Sequence, residues 1–168
     1  MRWRIGLIGF GNVGRAFIRL YKEMHSYWAE KYELNASFHY VLNSKGGISK
    51  KDGIDINTLI YATGSNGRLD AIPGWKEGLT FSDALEQSST NLLVEVSPTN
   101  IMDGEPALSR IIAALAQGIS VAAGNKGPFL FQFKNLFGLA KKHNLLLGTG
   151  CASGAALPTI NFGKYSLA

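Results

Sequence analysis

Cysteine is nearly absent from this chain, which has one, Cys151, in 168 residues. A single cysteine cannot form an internal disulfide, so the sequence excludes a disulfide-stapled scaffold. The residues around it are Gly, Thr, Ala and Ser, without a His/Asp constellation. Because a free cysteine usually behaves as a small buried residue, we expect Cys151 to be packed rather than to act as a catalytic thiol.

Long apolar runs are also absent. No segment approaches the ~18 consecutive apolar residues of a membrane span. The apolar run after Met1 is interrupted by glycines after a few positions and is not followed by a small-residue cleavage site. We therefore interpret it as a first strand, and we expect a cytoplasmic protein with no membrane partner.

Charged residues are few and do not form blocks. They make up 17% of the chain, and the net charge is +5. The seventeen Lys and Arg are scattered, without the basic stripe interleaved with aromatics that single-strand binders use. The positive charge suits an anionic small ligand at least as well as a nucleic acid, so we expect no nucleic-acid partner.

Glycine, in contrast, is plentiful, and three of the twenty glycines fall in the stretch "GFGNVG". This stretch lies between a strand-type run, Trp3 to Ile8, and a helical pattern. A glycine permits a tight bend at Gly9, close approach of a pyrophosphate at Gly11 and close helix packing at Gly14. The helix N-terminus would then face the phosphates. A purely structural turn is the alternative. The predicted dinucleotide-binding residues are Gly9, Phe10, Gly11, Asn12, Val13 and Gly14.

The second predicted strand lies within "ASFHYVLN". In dinucleotide-binding proteins, an Asp or Glu at the end of this strand usually holds the nucleotide ribose. This chain has Asn43, Ser44 and Lys45 there instead. An ammonium in place of a carboxylate favours the 2′-phosphate of NADP over the 2′-hydroxyl of NAD, although NAD stays possible. The alternative is that Lys45 is an ordinary solvated loop lysine.

Strands and helices alternate along the rest of the chain. Such alternation predicts an α/β fold, a doubly wound Rossmann-type parallel sheet with helices on both faces, whose ligands lie beyond the carboxyl ends of the strands. A short helix at "SDALEQ" would be capped by Ser82 or Asp83. The other predicted elements are a loop at "NSKGG", a helix within "IDINTLIYAT", a strand 91–96, a helix 106–117 stopped by Gly118, a strand at "ISVAAG", a helix from about 130 to 143, a strand at "LLLGTG" and a helix from about Ala155.

Two charged residues stand near strand ends. Glu95 lies in a run of Leu and Val, where an ionised carboxylate is costly unless paired. It either faces the crevice or reaches a backbone donor in a neighbouring loop. Lys126 lies between Asn125 and the pair Gly127-Pro128, where it could orient a substrate hydroxyl or shuttle its proton if burial lowered its pKa. A surface lysine is the alternative.

The ordered series "GFGNVGRAF", "NSKGGI", "VEVSPTNIMDGEPA" and "AAGNKGPF" resembles the nucleotide-binding part of homoserine dehydrogenase through nearly the whole chain. That family interconverts L-homoserine and aspartate 4-semialdehyde by hydride exchange with NAD or NADP. The resemblance implies that Lys126 is the catalytic lysine, with Asn125 beside the cofactor. It also implies that the glycine turn holds the pyrophosphate, that Asn43, Ser44 and Lys45 hold the adenosine ribose, and that Ser97, Pro98 and Thr99 contact the nicotinamide side.

The chain departs from the family pattern near its C-terminus. Gly150 stands where many members have a glutamate that helps to bind a monovalent cation, so we predict no metal ligands. The family continues into a substrate and dimerisation domain with a second catalytic lysine, and Lys164 does not match it. The resemblance therefore implies a dinucleotide-binding domain at 1–150, and at 151–168 the start of a segment leading to a further domain. It also implies a homo-oligomer, with homoserine as substrate if the site is completed.

Two other functions stay open. The first is a non-catalytic module that senses or sequesters NADPH, or a subunit whose partner supplies the other half of the site. A nucleic-acid binder is the least favoured interpretation, and its affinity would fall steeply with salt.

Overall fold

A computed structural model of the protein describes residues 2–64 and 68–152. The chain divides into two compact units, Met1–Leu92 and Leu93–Ala168. The predicted helix from about Ala155 and the residue Lys164 lie outside the described residues. None of the helices within the described ranges is both long enough and apolar enough to cross a membrane.

The first unit begins with a strand–helix–strand unit. Its strands β1 and β2 are parallel, which confirms the predicted crossover through a helix. Its strand order is β4-β3-β2-β1. The elements are β1 (Arg2–Ile8), α1 (Asn12–Tyr32), β2 (Asn35–Leu42), β3 (Gly46–Ile54), α2 (Ile56–Ala62), a 3₁₀ turn Leu69–Ala71, β4 (Lys76–Glu77) and α3 (Phe81–Gln87).

The edge of this sheet is antiparallel, a detail that the predicted parallel sheet did not include. Strand β3 runs antiparallel to both β2 and β4, where we predicted a loop. The reversal is a tight turn in which the side-chain oxygen of Asn43 accepts hydrogen bonds from the backbone N–H groups of Lys45 at 2.8 Å and Gly46 at 3.1 Å. So short a turn leaves no room for a crossover helix, and the chain returns beside the strand it has just left.

Helix α1 buries one face, formed by Gly14, Ile18 and Tyr21. The ring of Tyr21 packs edge-on against Phe38 of β2, with 5.4 Å between ring centroids. Leu20, the apolar residue just before Tyr21 in this helix, is 49% exposed. The helix therefore packs through a narrower stripe than its sequence indicates, because residues three and four apart, not adjacent ones, share a face.

The cap of α3 differs from the prediction. Thr80, not Ser82 or Asp83, is the N-cap, and its hydroxyl oxygen accepts a hydrogen bond from the Asp83 backbone at 3.2 Å. The Asp83 carboxylate accepts one in return from the Thr80 backbone N–H at 3.1 Å. This reciprocal pair is a capping box, which satisfies two helix-terminal donors at once.

The second unit has the strand order β5-β6-β7, and β6 and β7 are parallel. Helix α4 ends at Ala116 with Gln117 as its C-cap, and Gly118 follows with a φ of +78°, which confirms the predicted glycine stop. Helix α5 begins earlier than predicted, at Gly127, because Pro128 is accommodated in its first turn. The elements are β5 (Leu92–Glu95), α4 (Ala107–Ala116), β6 (Ser120–Ala123), α5 (Gly127–Lys142) and β7 (Leu147–Gly148).

Candidate functional site

The glycine turn of the first unit leaves a helix N-terminus open. Gly9 has a φ of +107°, a value that favours glycine, and its N–H donates to the carbonyl of Leu42 at 2.9 Å. Gly11 is the N-cap of α1, and no side chain caps the helix there. A Cβ added at Gly11 would meet no heavy atom within 4 Å. The unsatisfied N–H groups of the first turn thus face open space, which fits an approaching pyrophosphate.

The other residues of this turn divide between interior and surface. Phe10 is buried at 8% exposure and Gly14 lies on the buried face of α1. Asn12 and Val13 are exposed. Phe10 and Gly14 therefore pack inside, while Asn12 and Val13 lie on the surface of the turn.

Two arginines that the sequence interpretation passed over lie beside this turn. Arg15 donates to the side-chain oxygen of Asn12 at 2.9 Å, and Arg19 donates to the carbonyl of Thr63 at 3.2 Å. With Gly64 they line a shallow open hollow. Their spacing, four residues apart on α1, was the available signal, since such residues share a helix face. They add positive charge near the helix N-terminus.

The end of β2 lies next to the glycine turn, because Gly9 is hydrogen-bonded to the residue before Asn43. Asn43 is half-buried, and its side chain holds the hairpin turn. Ser44 and Lys45 are exposed at the tip of that turn. The structure thus brings the predicted pyrophosphate and ribose residues together, while the oxygen of Asn43 is already occupied by backbone donors.

In the second unit, Asn125 connects the turns that follow β5 and β6. Its amide nitrogen lies 3.1 Å from the Ser97 carbonyl, 3.4 Å from the Ser97 hydroxyl and 3.2 Å from the Pro98 carbonyl. Its amide oxygen accepts from the N–H of Gly127 at 3.1 Å. Asn125 is only 1% exposed, whereas Pro98, Thr99 and Lys126 are exposed. A buried amide therefore holds two polar turns whose outer residues face solvent.

A second loop packs against the start of α5. A Cβ added at Gly127 would lie 2.3 Å from the carbonyl oxygen of Asn100 and 3.1 Å from the Cα of Gly104. The Asn100 amide in turn donates to the Asp103 carboxylate at 2.7 Å and to the Glu105 carbonyl at 3.1 Å. The absence of a side chain at Gly127 is what allows this backbone to approach so closely.

Glu95, at the end of β5, is fully buried. One carboxylate oxygen accepts from the backbone N–H of Ser97 at 2.9 Å, and the other lies 3.7 Å from a guanidinium nitrogen of Arg110. Of the two alternatives, the backbone donor is therefore confirmed. Burial raises the pKa of the Glu95 carboxyl, and the Ser97 hydrogen bond and the Arg110 charge only partly oppose that rise.

The raised pKa of Glu95 predicts how the stability difference between Glu95→Gln and wild type changes with pH. A carboxyl whose pKa is higher in the folded than in the unfolded protein stabilises the fold below its unfolded pKa, and that stability is lost as the pH rises through the folded value. Glutamine does not titrate. We expect E95Q to be more stable than wild type at pH 7, and this advantage to shrink as the pH falls toward 4, measured by urea unfolding. Arg110 of α4 is the charged group that faces Glu95.

The control for this experiment is Glu86→Gln, which removes an exposed carboxylate on α3. Because Glu86 is exposed, its removal should change the free energy of unfolding at pH 7 by no more than about 0.5 kcal/mol. A pH-independent difference for E95Q, or an E95Q that is less stable at pH 7, would contradict the assignment.

The prediction for Cys151 is wrong, because the residue is exposed. Its sulfur lies 3.9 Å from the carbonyl oxygen of Ala123, the last residue of β6. The preceding Gly150 is half-buried. In the described ranges no group of three or more His, Cys, Asp or Glu side chains is arranged to hold a metal ion.

No family model matches the chain. A homoserine dehydrogenase of a hyperthermophilic archaeon, solved in complex with NADPH, superimposes on 96% of it with a TM-score of 0.80 and 25% identity, and 48% of that protein is covered. The fold and the open glycine turn thus define the α/β class with a Rossmann-type sheet, as predicted.

Within that class, the resemblance to homoserine dehydrogenase is confirmed. The homoserine dehydrogenase of Methanocaldococcus jannaschii is 27% identical over 162 residues, which are 96% of this chain and 48% of that protein. An NAD(+)-dependent homoserine dehydrogenase of Pseudomonas canavaninivorans is 28% identical over 169 aligned residues, 99% of this chain and 47% of that protein. The chain therefore spans about half the length of the curated relatives it matches.

Proposed function

We propose that the chain is the cofactor-binding half of an NAD(P)-dependent oxidoreductase, one that interconverts L-homoserine and aspartate 4-semialdehyde. The observation that carries this proposal is the similarity along nearly the whole chain to a homoserine dehydrogenase solved with NADPH. The open N-terminus of α1 supports it, because that geometry suits a phosphate group.

We assign the proposed cofactor contacts for each unit separately. In the first, the residues from Gly9 to Gly14 hold the pyrophosphate, while Asn43, Ser44 and Lys45 hold the adenosine ribose. The exposed ammonium of Lys45 then attracts the 2′-phosphate of NADP. In the second, the Ser97–Thr99 turn contacts the nicotinamide end. When bound, the nicotinamide supplies or accepts the hydride.

Lys126 is the proposed catalytic residue. Its ammonium is exposed at the start of α5, beside the amide of Asn125 that holds the turn. From there it orients the substrate hydroxyl and carries its proton. Homoserine as the substrate, and assembly into a homo-oligomer, belong to this proposal for the whole protein, since the chain matches only half of its relatives' length.

The same observation on length favours a second candidate, a non-catalytic NADPH-binding module or a subunit completed by a partner. The two candidates differ in turnover. Homoserine-dependent reduction of NADP by the purified chain alone would exclude the second one.

The cofactor proposal is tested by calorimetric titration of the chain with NADPH and, separately, NADH. We expect saturable binding that is tighter for NADPH. Replacing Lys45 by alanine should weaken NADPH binding about tenfold, because a charge-assisted contact with phosphate is lost, and should leave NADH binding unchanged.

Two controls accompany this titration. Lys22→Ala removes another exposed lysine, on α1, and should change neither affinity. Gly11→Val places a side chain where no protein atom lies within 4 Å, so the variant should fold but lose binding of both cofactors. Absence of binding by wild type, or equal weakening by both lysine variants, would contradict the proposed roles.

A further inference from the structure

We propose that Glu95 and Asn125 are positioning residues that hold Ser97 between them and so set the form of the turn that receives the nicotinamide end. We call Glu95, Ser97 and Asn125 the Ser97 clamp. The inference rests on the proposed function and deepens it, because it assigns to two buried side chains the placing of a surface that would contact the cofactor.

Ser97 is held from both sides. Glu95 accepts its backbone N–H at 2.9 Å, while the amide of Asn125 lies 3.1 Å from its carbonyl oxygen and 3.4 Å from its hydroxyl. The backbone N–H, the carbonyl and the hydroxyl of Ser97 thus all contact side chains at the ends of two different strands. Ser97 therefore has little conformational freedom, and its fixed backbone orients the exposed residues that follow it, Pro98 and Thr99.

Neither the Glu95 nor the Asn125 side chain reaches the surface. Glu95 is 0% exposed and Asn125 is 1% exposed, and both ends of the Asn125 amide are already hydrogen-bonded inside the second unit. Asn125 therefore acts through the turns rather than by touching the cofactor itself. This differs from the role that the family resemblance implies for it.

The clamp is costly for the fold, which is why a function explains it better than stability does. A buried carboxylate loses its hydration, and its second oxygen lies 3.7 Å from Arg110 and accepts no hydrogen bond from the residues that the structure describes. An apolar side chain at position 95 would avoid that desolvation. What it would lack is an acceptor for the Ser97 N–H, a contact that holds the start of the turn from the β5 side.

The clamp also joins the turn after β5 to the turn that carries Lys126. The backbone carbonyl of Glu95 accepts from Gly124 at 3.0 Å, and the oxygen of Asn125 accepts from Gly127 at 3.1 Å. Lys126 lies between those last two residues. Loosening Ser97 is therefore expected to loosen the lysine turn as well.

The test compares Glu95→Leu, which removes the acceptor, with Glu95→Gln, which keeps an oxygen for the Ser97 N–H. Amide hydrogen exchange of Ser97 and Gly127 is measured by NMR, together with calorimetric affinities for NADPH and for 2′,5′-ADP, the probe for the adenosine end. Ser120→Ala is the matched control, since it removes a hydroxyl oxygen of β6 that accepts a hydrogen bond from the Leu146 backbone N–H in the same unit.

We expect E95L to accelerate exchange at both Ser97 and Gly127 by about tenfold or more, and to weaken NADPH about tenfold, while 2′,5′-ADP binding is unchanged. E95Q should restore slow exchange and NADPH affinity, and S120A should alter neither. The same split between NADPH and 2′,5′-ADP is expected for Asn125→Ala, so the proposal does not depend on one variant folding.

Two results would overturn the clamp: unchanged Gly127 exchange in E95L, or equal weakening of NADPH and 2′,5′-ADP. Failure of the proposed function gives a different result, in which wild type binds neither probe. In that case the exchange rates still decide whether the clamp exists.

Discussion

On the proposed function, replacing Lys126 by alanine in a preparation that turns over homoserine is expected to lower kcat by about 10²–10⁴-fold, the range typical of a lost acid–base group. NADPH affinity should change by less than about twofold. The ammonium of Lys126 takes part in no hydrogen bond or ion pair with the other residues that the structure describes, so its removal leaves the turn intact. Steady-state kinetics and a cofactor titration on the same preparation measure the two quantities.

Lys134→Ala is the matched control for this experiment. Lys134 lies on the same helix, α5, and is also exposed, but it stands two turns away from the strand end. It should retain wild-type kcat. If Lys126→Ala turns over at the wild-type rate, or if both variants lose activity alike, the lysine is a surface residue and its catalytic assignment is wrong.

Gly127→Ala is expected to destabilise the protein by about 3 kcal/mol, the upper end of the usual overpacking penalty. The new Cβ would stand 2.3 Å from the Asn100 carbonyl oxygen, a backbone atom that cannot rotate away. Either α5 or the Asn100 loop must shift, and each is fixed by other hydrogen bonds. Urea unfolding measures the change in the free energy of unfolding.

Gly138→Ala provides the opposite expectation within the same helix. A Cβ added at Gly138 would meet nothing within 4 Å, so the gain in helix propensity should stabilise the protein by about 0.5–1 kcal/mol. Similar unfolding free energies for the two variants would show that the Asn100 loop does not lie against Gly127.

The features that the sequence predicted correctly depend on short stretches of chain. The glycine turn required only a strand, a bend and a helix within "RIGLIGFGNVGRAF", and the end of α4 required only Gly118 after the last apolar position. The place of Lys126 at a strand end followed in the same way. Each follows from backbone conformations that neighbouring residues impose on one another.

The errors concern partners that lie far apart in the sequence or surfaces that depend on packing. Strand β3 was missed because two adjacent glycines and four charged or polar residues, "SKKD", give no apolar alternation, and only pairing with β2 and β4 makes the segment a strand. Cys151 was expected to be packed, and its exposure depends on the surrounding turns rather than on its neighbours in sequence.

The sequence by itself determined the α/β class, the glycine turn between strand and helix, and the family resemblance, because these depend on local periodicity and on the order of motifs. Only the tertiary structure decided what Glu95 and Asn125 do. Asn125 meets Ser97 across 28 positions of chain, and no local pattern encodes that a side chain will be buried with its hydrogen bonds satisfied by a distant turn. Burial and long-range hydrogen bonding are properties of the folded chain, and they distinguish the buried residues that hold these turns from the exposed residues of the same turns.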